Sequence, residues 1–372
     1  MKKSNLNLFI LFFILIVVGI LYKKFDEKCN AEENAENYQI IQDYLLDPVT
    51  LEKTKKPILW IYVPHEYNAR NWLNFGSRSS FDVNQPYLYL TVKSIIKNCD
   101  KSFTICIIDD TSFGKLLENW NINLSKIAEP IKGNVVMLGL MKILHKYGGM
   151  LCPISFLCMK DMIGLYNQGI YQNNMFLCET INKNITSTSF NFYPNLTFCG
   201  SPKENPILFN LIDFMQRTIS TDYTAESQFL GDFDRWCESN IKTNKINMID
   251  GKLIGTKTFD DQIIYLEDLM STSYLKLDDN TYGILIPAKD ILSRRKYEWF
   301  ARLSETQIYE SNVMIGNYLL LSAAPHGQSI IEPLKVKPDW VGFWKTPLYD
   351  GLYGLKPNFL GDNMNKVQYS GR

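Results

Sequence analysis

The chain has 372 residues, 46% hydrophobic and 13% aromatic, enough apolar surface for one large or two ordinary folded domains, which excludes a disordered chain. Its 39 Lys and Arg balance 39 Asp and Glu, so no global charge draws it to nucleic acid or to an anionic membrane surface. Eight cysteines occur without any C-x-x-C spacing, which excludes the usual zinc and thioredoxin-type sites; they read as small hydrophobes, with disulfides open only in an oxidising lumen.

Residues 1–5 form a short tail before an apolar run, LNLFILFFILIVVGILY, over residues 6–22, in which Asn7 is the one strongly polar side chain. At the helical rise it reaches about 25 Å, near the lower limit for crossing hydrocarbon. A cleaved signal peptide is the alternative, but Lys23 and Lys24 follow directly where small residues would be expected, and Cys29-Asn30-Ala31 is only a marginal cleavage site. The sequence therefore predicts a single transmembrane anchor, whose orientation the flanking lysines leave undecided. Residues 23–56 turn polar and charged and read as a stem, with the folded domain expected over 57–372.

The run ILWIYV (residues 58–63), stopped by Pro64, predicts a strand buried on both faces of a parallel sheet. A helix is expected over residues 87–98 after Pro86, then a second buried strand, FTICII, ending at Asp109 and Asp110: a βαβ unit. Residues 134–147 carry apolar side chains at helical spacing, with Lys142, His145 and Lys146 on a face expected to be solvated. Gly148 and Gly149 then end the helix and turn the chain into a strand expected over 150–158. Further strands are expected at 175–179, 196–200 and 282–287, and a helix after the Asn205-Pro206 cap. The part from about residue 280 to 372, dense in Pro, Gly and Trp towards its end, reads as loop-rich.

The segments PILWIYV, FTICIIDD, HKYGGMLCPISF and FCGSPKENP together resemble the capsular-polysaccharide-synthesis and mannosyltransferase-like glycosyltransferases, over about residues 57–215. KYGG followed by a strand is the most specific piece, and DWVGFW (residues 339–344) is similar to a His-Trp-Ala-Gly-Ser-Trp element of the same family. The chain also resembles a membrane-anchored protein type encoded by large DNA viruses. The resemblance implies a GT-A-like, Rossmann-related α/β domain with a mostly parallel sheet flanked by helices, a nucleotide-sugar donor, and a host endomembrane or virion membrane as location.

It also implies departures. The family's metal-binding Asp-x-Asp falls on Pro153 and Ser155, its upstream donor-gripping Asp and Arg fall on Met137 and Leu140, and its C-terminal His falls on Asp339. A hard dication prefers carboxylate oxygens, so the usual metal site is not expected here, although Asp339 remains a candidate ligand. Two readings are open: a transferase whose cations neutralise the leaving diphosphate, or a catalytically inactive glycan-binding or structural protein. For the first, Arg294, Arg295, Lys296, Arg302 and Arg78 are the candidate cations, with Ser155 beside the donor and Glu179 as a conceivable general base.

Position adds others. His65 and Glu66 come after the first strand and Asp109 and Asp110 after the second, where open α/β sheets bind ligands, although Asp-Asp before Thr-Ser is also an ordinary capping sequence. Asp260 and Asp261 form another acidic pair that could hold a cation, although flanking Lys257 and the apolar run that follows favour a solvated helix start. Trp340 and Trp344, with Tyr349 and Tyr353, would stack on a sugar ring or pack the C-terminal loops onto the core. Asn123, Asn184 and Asn195 head Asn-x-Ser/Thr sequons, usable only in a lumenal domain.

Overall fold

In a computed structural model the described residues are 51, 54–64, 85–118, 120–129, 131–183, 191–221 and 226–323. The run ILWIY forms β1 (Ile58–Tyr62), and after a 14-residue helix opened by proline, α1 (Pro86–Cys99), the chain returns as β2 (Thr104–Ile108). A single turn, α2 (Phe113–Leu116), precedes the long helix α3 (Ile131–Tyr147), which leads into β3 (Gly149–Pro153). Next in the chain are β4 (Phe156–Cys158), α4 (Ile163–Gly169), β5 (Met175–Ile181), β6 (Phe192–Ser201), α5 (Pro206–Ser220), α6 (Glu226–Lys242) and β7 (Ile246–Ile249). The last described part holds α7 (Leu266–Leu269), β8 (Gly283–Leu285), α8 (Ala288–Ser293), α9 (Glu305–Glu310) and α10 (Met314–Ala323).

Six strands form one sheet in the order β2-β1-β3-β6-β5-β7, with β1 parallel to β2 and β3, β5 parallel to β7, and β6 antiparallel to both its neighbours. The fold is thus mixed α/β with a mostly parallel central sheet flanked by helices. β1 is enclosed on both edges and both faces: Trp60 is 1% exposed, pairs in register with Cys106 and Leu151, and donates its indole N–H to the Gly148 carbonyl at 2.9 Å.

The two glycines work as their position predicts. Gly148 has φ +72° and its N–H closes the last turn of α3 on the Leu144 carbonyl at 2.8 Å; Gly149 has φ +103° and opens β3 against β1. Asn205 caps α5, its side-chain oxygen accepting from the N–H groups of Ile207 and Leu208 at 2.9 and 3.2 Å.

Several expectations are corrected. The strand expected over 150–158 is two, because β3 stops at Pro153, which has no N–H for a ladder, and β4 leaves to pair antiparallel with β8 in a second sheet. Thr91 holds the intervening turn through the Ile154 carbonyl at 2.6 Å, and Ser94 accepts from the Cys158 N–H at 2.9 Å. The short strand at 196–200 is the end of a ten-residue β6, whose start is hidden in sequence by Pro194 and Asn195. β7 has no counterpart among the expected strands. Where loops were expected, residues 288–323 hold three helices that close a second apolar core with Tyr87, Leu157, Phe300 and Ile315.

Leu51, in the expected stem, is 6% exposed. The predicted anchor, residues 6–22, lies outside the described residues; among those described, no helix is long and apolar enough to cross a membrane.

Candidate functional site

β1 runs out to β2 on one side and the chain then returns to β3 on the other, so the crevice beyond the carboxyl ends of β1 and β3 is the sheet's topological switch point, where such sheets bind ligands. A cleft of about 690 Å³ opens there. Val63 and Pro64 line it from the end of β1, Pro153, Ile154 and Ser155 from the end of β3, and Asn182 and Lys183 from the end of β5. Its other walls come from the start of α3, the middle of β6 and the start of α8.

Polar side chains dominate the chemistry: Gln85, Asn134, Asn182 and Asn195 contribute amides, and Thr180, Thr197 and Ser155 contribute hydroxyls. The charged lining residues are Glu129, Lys183 and Lys289. Glu129 accepts from the Gly133 N–H at 3.1 Å and so answers an otherwise unpaired donor in the first turn of α3. On the opposite wall Lys183 Nζ lies 2.8 Å from each carboxylate oxygen of Asp290, the residue after Lys289.

The residues expected to carry chemistry are only partly gathered here. Ser155 lines the cleft, 7% exposed, and its carbonyl accepts from the Ile286 N–H at 3.1 Å; Met137 lines it too, whereas Leu140 is buried in the core. Asp109 and Asp110 are not among the lining residues. Asp109 Oδ1 accepts from the N–H and hydroxyl of Thr111 at 3.0 and 2.8 Å and from those of Ser112 at 2.9 and 2.7 Å, the capping arrangement its sequence allowed. Partial burial opposes its ionisation, but these hydrogen bonds from Ser112 and Thr111 together outweigh that and hold the carboxyl below its usual value. Asp110 takes the Tyr62 hydroxyl and pairs with Lys132 at 3.0 Å, while burial first and Asp110 second push the Tyr62 phenol up.

Glu179 is 9% exposed and absent from the lining; its carboxylate is paired with Lys257 and accepts from the Gly251 N–H at 3.2 Å. Lys257 also lies 3.7 Å from Asp250 and 4.5 Å from the Phe192 ring centroid. The pair therefore pins β5 to the turn after β7 rather than facing a ligand. Arg294 pairs with Glu267 at 2.6 Å and Arg302 with Glu298; Arg295 and Lys296 are exposed, and none of the four lines the cleft. Asp260 and Asp261 occupy a turn beside the Lys257–Ile263 bridge rather than a helix start, and Asp261 pairs with Lys252 at 2.8 Å. His145 is half-buried against Phe209, ring centroids 5.7 Å apart, not solvated as expected; burial lowers its pKa, partly offset by Glu204. His65, Glu66, Arg78, Asp339, Trp340, Trp344, Tyr349, Tyr353 and Asn184 lie outside the described residues.

The donor set beside β3 does not fit a divalent cation. Pro153 brings no side-chain ligand, Ser155 brings one hydroxyl, and no group of three or more His, Cys, Asp or Glu suited to a metal ion occurs among the described residues. Sequence reasoning missed Lys183, Lys289 and Glu129; the first could have been found by extending β5 two residues and looking just past its end. No protein-family model, curated protein or solved structure matches the chain.

Proposed function

We propose that the chain is a membrane-anchored, glycosyltransferase-like protein, with a GT-A-like domain whose cleft accepts a nucleotide sugar without an Asp-x-Asp metal site. Residues 6–22 serve as its bilayer anchor, in a host endomembrane or a virion membrane. The observation that carries the reading is the cleft itself: about 690 Å³, at the switch point between β1 and β3, with Pro153 and Ser155 in its wall. Its amide and hydroxyl lining suits a ligand rich in hydroxyl groups.

Thermal unfolding of the full-length chain in detergent, with a panel of nucleoside diphosphates and nucleotide sugars in EDTA and in Mn²⁺, tests it. A ligand at 100 times its dissociation constant adds about 2.7 kcal/mol of stability. A shift in EDTA is the expected result, and no shift with any nucleotide overturns the reading.

One observation favours a second reading, a catalytically inactive glycan-binding protein. Glu129 is the one carboxylate among the described lining residues, and one of its oxygens is engaged by the Gly133 N–H at the start of α3, so the described lining offers a single carboxylate, on the wall away from the two lysines, to serve as a base. Binding of a donor without release of its nucleotide over hours, with a panel of glycan acceptors present, is the outcome that reading expects.

A further inference from the structure

The charges of the cleft are divided between its walls. Glu129 stands on the α3 side, where it answers the helix's first turn; Lys183 and Lys289 stand on the side formed by the end of β5 and the start of α8. A polyanion entering the cleft is repelled from the first wall and drawn to the second.

The second wall is built in a particular way. Lys183 lies at the end of β5 and is held by both oxygens of Asp290 at 2.8 Å. Lys289, one residue before Asp290 on α8, is exposed, lines the cleft and makes no ion pair with a described residue. Asp290 is in turn 3.9 Å from Arg294, one turn further along the same helix. The wall thus offers two ammonium groups, one of them prepositioned by a carboxylate that has a second cation to fall back on. Two ammoniums do the work of a dication when the ligand's negative charge is spread over several oxygens.

We propose that Lys183 and Lys289 form a metal-independent binding site for a diphosphate group, with Asp290 holding Lys183 in place and competing with the ligand for it. The proposal rests on the reading of the cleft as a nucleotide-sugar site and names the group within that ligand which the described cations would grip. It places the diphosphate on the β5 and α8 wall, and the uncharged parts of the ligand towards Asn134 and Gln85 on the other. Neither lysine stands out in the sequence; the cations that do, Arg294 and Arg295, do not line the cleft.

The test is calorimetric titration of the full-length chain in detergent with inorganic pyrophosphate, in EDTA and at low salt, so that base and sugar play no part. Pyrophosphate is expected to bind without added metal. Lys183→Ala and Lys289→Ala should each weaken it about tenfold and the double variant more, while Asp290→Asn, which removes the competing carboxylate, should tighten it a few-fold. Lys296→Ala, an exposed lysine over the Tyr297 ring and outside the cleft, is the charge-matched control and should change affinity less than twofold. Equal melting temperatures of the variants show that each is folded.

Binding that requires Mn²⁺ or Mg²⁺, or that survives loss of both lysines, overturns the proposal. Nucleoside diphosphates that bind while the lysine substitutions do nothing would remove this site and leave the proposed function standing. Failure of pyrophosphate and of every nucleotide alike would remove both.

Discussion

A side chain on Gly149 would meet the Ile58 backbone: its Cβ would stand 2.1 Å from the Ile58 carbonyl oxygen, and the residue holds φ +103°. The close approach of β3 to β1 therefore depends on a hydrogen atom at this position. Gly149→Ala should cost about 3 kcal/mol or more, combining an unfavourable backbone region with a clash against backbone that cannot swing away. Gly148→Ala, at φ +72° and 2.9 Å from the Lys203 nitrogen, should cost less, about 1–2 kcal/mol. Urea unfolding of both variants checks the order; a Gly149 variant as stable as the parent would refute the packing described.

The Glu179–Lys257 pair makes a separate prediction about role. Glu179→Gln leaves Lys257 buried with only Asp250 at 3.7 Å, and should destabilise the chain by about 2–4 kcal/mol. Glu179→Leu with Lys257→Met should recover much of that loss. If Glu179→Gln instead left stability intact and abolished nucleotide release from a donor, Glu179 would be a base and not a strut.

Asp109 predicts a pH dependence. Its folded pKa is depressed, so its contribution is fully present above the ordinary carboxylate value of 3.8 and is lost as pH falls below that value through the folded one. Asp109→Ala should cost about 1 kcal/mol at neutral pH, as loss of a cap does, and flatten the acid limb of the stability curve. Chemical denaturation between pH 2 and 5, a range chosen around the usual carboxylate value of 3.8, reads both effects.

The two described sequons share a local geometry and differ in access. Asn123 is exposed and its oxygen accepts from the Ser125 N–H and hydroxyl at 3.1 and 2.6 Å. Asn195 makes the same pair of bonds to Thr197, at 2.8 Å each, but donates its amide to Thr180 at 3.1 Å and lines the cleft. If the domain is exported in eukaryotic cells, glycosidase-sensitive mass should fall by one glycan with Asn123→Gln and be untouched by Asn195→Gln. The opposite result would mean that the cleft opens before modification.

The seven described cysteines are buried, and burial pushes the Cys106 thiol up to about 12 and raises the Cys152 and Cys178 thiols well above the usual thiol value. Alkylation of these thiols should therefore be slow in the native chain and complete on unfolding, measured as mass added over time. Cys99 and Cys158, with sulfurs 3.8 Å apart, are the pair to examine if an oxidising compartment yields a disulfide.

How much is legible in the sequence depends on how local each signal is. β1, β2 and α1 are readable because ILWIY and TICII are buried on both faces and Pro86 marks a helix start. Gly148-Gly149 is readable because two glycines after a helical run leave few conformations to consider. β7 is not: INMI is four residues long at the sheet's edge and carries Asn247 and Met248 on a partly exposed strand, so it lacks the continuous apolar run of a central one. Pro153 marks locally where β3 stops, but the turn of β4 into a second sheet depends on β8, far along the chain. The cleft's charges are invisible for the same reason, since Lys183 and Lys289 become neighbours only when the end of β5 meets the start of α8.

The departure of β4 from the main sheet ties the crevice to the far end of the described chain. Ser155 and Ile286 are joined by a backbone hydrogen bond at 3.1 Å, and β4 has β8 as its partner strand. A protein shortened to end before residue 283 would keep all six strands of its large sheet yet lose Lys289 and one side of the crevice with β8. A fragment cut to the sheet alone would lack that side of the crevice, so a binding assay on it would not report on the site the longer chain presents.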